Sequence, residues 1–220
     1  MSPVSRRVGA AIAIALAVAA VIAVVNRRAL VLPSSDAPDA ASDAGRTIGK
    51  PDAMVLLDLW SDFQCPSCRQ FEARIEPNIV REYVDTGRAR LTFHDMAFLG
   101  PESINAAVAA RCADRQGKFQ AYKRLLFANQ AAPESGGFDW SRLTELAGSL
   151  QLDLPQFTMC ANDRSVAAAV SAETQQAYAR GVKQTPTLTV SGVPVASVND
   201  WQRVSAAIEA AMASAGAPRR

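Results

Sequence analysis

The sequence predicts an α/β domain that carries an inserted block of helices and is preceded by a membrane-spanning helix. Three observations carry that expectation. Short apolar runs that read as strands lie on either side of an amphipathic helix, residues 102 to 180 read almost wholly helical, and the 18-residue stretch from Val8 to Val25 holds no charge. The chain has 220 residues, 49% of them hydrophobic and 20% charged. That is enough for one domain with a sizeable core, and it excludes a disordered or collagen-like chain.

As a helix, Val8 to Val25 would extend about 27 Å, close to the roughly 30 Å hydrocarbon core of a bilayer. Residues 1 to 32 are therefore expected to form a cytoplasmic tip and a transmembrane anchor, with residues 8 to 25 in the membrane. The rival is a cleaved signal peptide, whose apolar region is usually about 7 to 15 residues and is followed closely by a small-x-small site. Here the run ends at Asn26-Arg27-Arg28 and the nearest such site, Ser42-Asp43-Ala44, lies well downstream, so an uncleaved signal-anchor is preferred. Two arginines flank each side of the span, and charge counting barely favours a cytoplasmic N-terminus. The cysteines point the same way, because paired thiols are easier to understand as disulfides outside a reducing cytosol. Residues 33 to 45 are rich in Pro, Ser, Asp and Ala and have nothing to bury, which predicts a flexible linker.

The folded unit is expected over residues 46 to 214, with 215 to 220 as a tail. Met54 to Trp60 is a short apolar run with one acid in it, the form of a buried strand. From Pro66 onward Phe71, Ile75, Ile79 and Tyr83 fall at i, i+4 steps on one helical face, and Pro77 should kink or divide that helix. Gly87 ends it, and Ala89 to His94 alternates like a second strand, completing a βαβ unit. The helical insertion follows over about 102 to 180. Gly181 stops it, and Thr187 to Val190 and Val193 to Val198 read as a hairpin around Ser191-Gly192. Asp200 is placed to cap a closing helix with Trp201, Val204 and Ile208 on its apolar face.

Lys plus Arg number 23 against 21 Asp plus Glu, and the excess lies at the ends of the chain, in Arg6, Arg7, Arg27, Arg28, Arg219 and Arg220. The remainder is close to neutral, with no basic footprint for nucleic acid. One histidine, His94, excludes a His-rich metal site and any mechanism that needs two imidazoles. It reads as a strand-end residue without a catalytic role. Four cysteines remain, Cys65, Cys68, Cys112 and Cys160, the first two at C-x-x-C spacing.

The pair sits where the first strand hands over to the first helix, which places Cys65 beside unpaired backbone N–H groups and the positive end of the helix dipole. Such a thiol has its pKa lowered from about 8.5 into the range of roughly 3.5 to 7.5, making it both nucleophile and leaving group. Pro66 at the first helical turn costs no hydrogen bond and fixes the backbone that presents the sulfur. Cys68, three residues on, lies on the same face and can attack a mixed disulfide on Cys65. A zinc half-site would need further ligands, haem attachment would need His where Arg69 stands, and an inert structural disulfide is the bland alternative. Redox catalysis, with no metal and no cofactor, is the preferred reading.

Gly49-Lys50-Pro51-Asp52-Ala53, Ser61-Asp62-Phe63-Gln64-Cys65-Pro66-Ser67-Cys68, Leu99-Gly100-Pro101-Glu102-Ser103, Gln116-Gly117-Lys118-Phe119, Gly181-Val182 and Thr185-Pro186-Thr187 together resemble the DsbA-like branch of the thioredoxin superfamily. The resemblance covers roughly residues 46 to 214 and implies a thioredoxin fold with an inserted helical subdomain. It implies a cis-proline loop at Thr185-Pro186, packed on the catalytic sulfurs and offering backbone groups to a substrate peptide. Asp58, seven residues before Cys65, resembles the buried acid that relays the Cys68 proton in such enzymes, with burial expected to raise its pKa; Asp62 is the competitor. Ser67 stands where the DsbA type usually has His, and so cannot add an imidazolium charge beside Cys65. In an oxidising compartment Cys112 and Cys160 read as a second, structural disulfide, against the alternative of two buried free thiols.

The function expected is an extracytoplasmic thiol:disulfide oxidoreductase that donates disulfides to exported polypeptides and is reset by a membrane redox partner. Two readings compete with it: a reductase or isomerase, and a tethered peptide-binding or chaperone module. By resemblance to known periplasmic isomerases, an isomerase would need an added dimerisation domain, for which residues 33 to 45 are too short, and this disfavours that reading; the chain is expected to act as a monomer.

Overall fold

The computed structural model describes residues 45–216, so the apolar run from Val8 to Val25, the linker up to residue 44 and the last four residues of the tail lie outside the described residues. Among the described residues no helix is long and apolar enough to cross a membrane.

The core of the fold is a five-stranded sheet in the order β1-β3-β2-β4-β5. The central pair, β2 (Val55–Ser61) and β3 (Ala89–Asp95), runs parallel in the register Leu57 to Leu91 and Ser61 to Asp95. A crossover of about this length must be helical, and it is. It begins as α1 (Pro66–Arg74), breaks at Ile75 and continues as the one-turn α2 (Glu76–Ile79) and a π-helical turn, Val80–Val84. Pro77 supplies the break, since it has no N–H to donate. Phe71, Ile75, Ile79 and Tyr83 are all buried, the face the periodicity picks out. Gly87 closes the segment at φ 74°, a left-handed conformation that glycine adopts without steric cost.

The insertion consists of α3 (Pro101–Asp114), α4 (Phe119–Ala128), α5 (Trp140–Ser149), α6 (Leu154–Ala161) and α7 (Arg164–Ala179). Asp139, Asp153 and Asp163 cap the last three of these helices with their side chains. The sheet resumes with β4 (Thr187–Val190), antiparallel to β2, and a hairpin whose two turn residues, Ser191 and Gly192, both have positive φ. The second strand of that hairpin is shorter than expected. β5 covers only Val193–Pro194 rather than running to Val198, because Pro194 has no N–H for a ladder and the chain turns out of the sheet at Ser197, φ 58°. The closing helix α8 runs Trp201–Gly216, two residues past the expected end, with the Asp200 carboxylate accepting from Gln202 N. β1 (Thr47–Ile48) pairs with β3 and was not foreseen, two residues being too few to show a period.

Candidate active site

The catalytic turn is built by the end of β2 and the start of α1. Val55, Leu57 and Leu59 point into one layer of the core while Leu56 and Asp58 stay partly exposed on the other face. Beyond Ser61 the chain leaves the sheet through Asp62 and Phe63. Phe63 anchors the turn, its ring 5.3 Å from that of Phe93 and 5.2 Å from that of Phe127, so the sheet and the insertion grip it together. Gln130, just past α4, donates to the carbonyls of Phe63 and Cys65 at 2.6 and 3.1 Å. Gln64 donates to Ser103 Oγ at 3.0 Å and to Glu134 at 2.7 Å. These contacts span roughly 40 to 70 positions of sequence, and no local pattern could have marked Gln130, Ser103 or Glu134.

Cys65 is the N-cap of α1 and Pro66 its first residue. Both active-site cysteines are free thiols. The Cys65 thiol is drawn down to about 6, because the Cys68 thiol and the backbone N–H groups of Cys68 and Ser67 donate toward its sulfur and outweigh burial. Cys68 goes the opposite way. Burial pushes it well above the ordinary thiol value, and a neighbouring Cys65 thiolate pushes it further. The geometry therefore separates one ionised, attackable sulfur from one protonated, enclosed sulfur.

Thr185-Pro186 is a cis peptide, and the Thr185 carbonyl lies 3.3 Å from Cys65 Sγ as acceptor of the thiol hydrogen. Thr185, Pro186 and Ser67 line one groove of about 850 Å³, together with Asp58, Trp60, Arg180 and the loop that leads into α8. From that loop Asn199 donates to Ser67 Oγ at 2.7 Å, a contact that sequence reasoning missed.

The two acids differ from expectation. Asp58 is not the buried acid with a raised pKa: its side chain is 37% exposed and the hydrogen bond from His94 holds its carboxyl below the ordinary range. Its alternate position in β2 turns it to the open face of the sheet, which is the physical reason for the correction. Asp62 is the enclosed one, and burial raises its pKa although four donors reach it. His94 is likewise more than a strand end. Its ring stacks on Trp60 with centroids 4.3 Å apart, and its two nitrogens lie 2.9 Å from Asp58 and 2.9 Å from Glu173. Burial alone would lower its pKa, but the bonds to the two carboxylates raise it.

Cys112 of α3 and Cys160 of α6 form a disulfide inside the insertion. It does not involve Cys65, whose thiol donates to the Thr185 carbonyl instead.

A dithiol split between a helix N-cap and a buried third helical position, facing a cis-proline on a mixed sheet, defines a thioredoxin-type redox site. Comparison with known proteins agrees. The family model described as thioredoxin matches residues 41–210. Disulfide bond formation protein D of Bacillus subtilis (strain 168) is 26% identical over 165 residues, 74% of each chain. Among solved structures, oxidised BdbD from Bacillus subtilis superposes with a TM-score of 0.72 at 24% identity, covering 77% of this chain and 93% of that one. Alpha-DsbA1 of Wolbachia pipientis gives 0.70 at 18% identity, covering 84% and 96%. The chain belongs to the thioredoxin family and is a DsbA-like thiol:disulfide oxidoreductase.

Proposed function

We propose that this enzyme is a disulfide donor that works outside the cytoplasm on exported polypeptides. The observation that carries the reading is the placement of Cys65. It stands at the N-cap of α1, at the positive end of the helix, and its thiol is drawn down to about 6, which stabilises the reduced pair as a thiolate and so makes the disulfide easy to give away.

In that reading a client thiolate attacks Cys65 Sγ, the Cys65-Cys68 bond breaks, and Cys68 leaves with the electron pair. A second client thiolate then attacks the client sulfur of the mixed disulfide. The client disulfide forms, and Cys65 leaves as the stabilised thiolate. Thr185 and Pro186 hold the client backbone beside the sulfurs. A membrane redox partner takes the two electrons and resets the pair. Residues 8 to 25 anchor the chain as a single pass, residues 33 to 45 tether it, and residues 46 to 214 act as a monomeric catalytic domain on the outer face. Cys112-Cys160 is a structural bond that takes no part in turnover.

Equilibration of the Cys65-Cys68 pair with glutathione tests the direction. A potential near about −120 mV marks a donor, whereas one near about −270 mV marks a reductase and overturns the proposal. For location, a membrane-impermeant thiol reagent applied to intact cells after mild reduction should label Cys65. Labelling only after lysis would refute the outer-face placement.

A further inference from the structure

The segment between α4 and α5, residues 129 to 139, is bonded to the catalytic turn at two points. The first is Gln130. Its side-chain nitrogen carries two hydrogens, and both are directed at the turn, toward the Phe63 carbonyl at 2.6 Å and the Cys65 carbonyl at 3.1 Å. One nitrogen thus fixes two peptide groups. The Cys65 carbonyl is also the first acceptor of α1, taking Cys68 N at 3.1 Å and Arg69 N at 3.2 Å. The peptide that Gln130 holds is therefore the one on which the catalytic helix starts.

The second point is a reciprocal pair: Gln64 Nε2 donates to Glu134 Oε1 at 2.7 Å, and Glu134 N donates to Gln64 Oε1 at 2.8 Å. Glu134 is anchored in turn to the start of α3. Its Oε1 also accepts from Glu102 N at 2.9 Å, and the Glu102 carboxylate accepts from Gly136 N at 2.6 Å and Phe138 N at 2.8 Å. This placement requires a left-handed backbone at Glu134, φ 55°, and a neighbour without a side chain, because a Cβ on Gly100 would run into the Glu134 carboxylate. A strained conformation of that kind persists only where its surroundings hold it. The segment is a strap, fixed to α3 at one side and to the turn at the other.

We propose that Gln130 is a positioning residue: by holding the Phe63 and Cys65 carbonyls it fixes the turn that presents Cys65, so that the inserted helices govern how readily that sulfur exchanges. The inference rests on the reading of Cys65 as the exchanging sulfur. The thiolate gains from the positive end of α1 only while the first turn of the helix keeps its orientation beneath the sulfur. The same orientation sets Cys65 Sγ 3.3 Å from the Thr185 carbonyl. Gln130 acts on both through the Cys65 backbone. Without its amide the two carbonyls lose a shared donor, the turn can rotate, and the reduced form loses part of what stabilises its charge.

The test uses the full chain and two readouts: the pH midpoint of Cys65 alkylation in the reduced protein, and the equilibrium of the Cys65-Cys68 pair with glutathione. Gln130→Met keeps a side chain of similar length and removes the donor. It should raise the midpoint by about 0.5 to 1 in pH, and lower the equilibrium constant for reduction by glutathione about 2-fold to 6-fold at pH 7. Either quantity left at its wild-type value in folded Gln130→Met overturns the proposal, whatever happens to thermal stability. If that variant does not fold, Gln130→Asn, whose shorter side chain cannot reach both carbonyls, takes its place under the same criteria. Replacing Cys112 and Cys160 by Ala loosens the insertion away from the strap and should leave the midpoint in place; a shift as large as that of Gln130→Met would mark a general loosening and overturn the specific role of Gln130. The donor reading stands or falls on the wild-type potential, the strap on the difference between variant and wild type, so the two failures are distinct.

Discussion

Cys65 and Cys68 stand three positions apart at the junction of a strand and a helix, whereas Cys112 and Cys160 lie 48 apart and tie α3 to α6. The first pair stands among groups that stabilise charge on sulfur, at the start of a helix and with each thiol beside the other. The second is enclosed within helices, Cys112 fully buried and Cys160 nearly so, beside a cleft also lined by Arg115, Gln116, Gln156, Met159 and Asp163. One chemical group thus serves two ends. A sulfur with charge-stabilising donors exchanges readily; a sulfur bonded across two helices constrains the chain.

Removing one sulfur at a time separates the roles of the two pairs most strongly. Cys68→Ser should abolish turnover and accumulate mixed disulfides on Cys65, recoverable by mass mapping. Adducts found on Cys112 or Cys160 instead would reverse the roles assigned to the two pairs. Replacing both Cys112 and Cys160 by Ala should lower stability by about 4 kcal/mol, from the loop of roughly 49 residues left unclosed, and leave the activity of the folded molecules near wild type. Denaturant unfolding measured together with a peptide-oxidation assay separates the two effects.

A gentler probe is pH. The folded Cys65 thiol is depressed to about 6, so the stabilisation of the reduced form is present above the unfolded value and is lost as pH falls through about 6. Iodoacetamide reactivity of the reduced protein should show its midpoint there, and a midpoint near 8.5 would remove the electrostatic distinction between the pairs. The smallest effect is expected at His94, whose folded pKa is raised. Its contribution is fully present below about 6.5 and is lost as pH rises through the folded value. Asp58, depressed in the fold, adds its share only above about 3.9. His94→Gln should therefore cost most, about 1 kcal/mol given the partial exposure of Asp58, between roughly pH 4 and 6.5. A stability difference that is flat across that window would show that the ring acts by stacking on Trp60 alone.

Much of this molecule can be read from the chain. The apolar run of β2, the helical face of Phe71, Ile75, Ile79 and Tyr83, the break at Pro77 and the Ser191-Gly192 turn all depend on short-range sterics and periodicity, which a sequence displays directly. The position of Cys65 at a helix start follows from the same local signals, and so does the expectation of a lowered pKa. Strand periodicity did not decide which acid is enclosed. Asp58 and Asp62 are four residues apart, and only the exit of the chain from the sheet after Ser61 buries the second and leaves the first beside His94. The support of the catalytic turn by Gln130, Ser103, Glu134 and Asn199 is decided by tertiary structure alone, because each contact joins segments that the sequence separates by tens of residues. Local order is set by neighbours along the chain; burial and hydrogen-bond partners are set by whatever the completed fold brings across the gap.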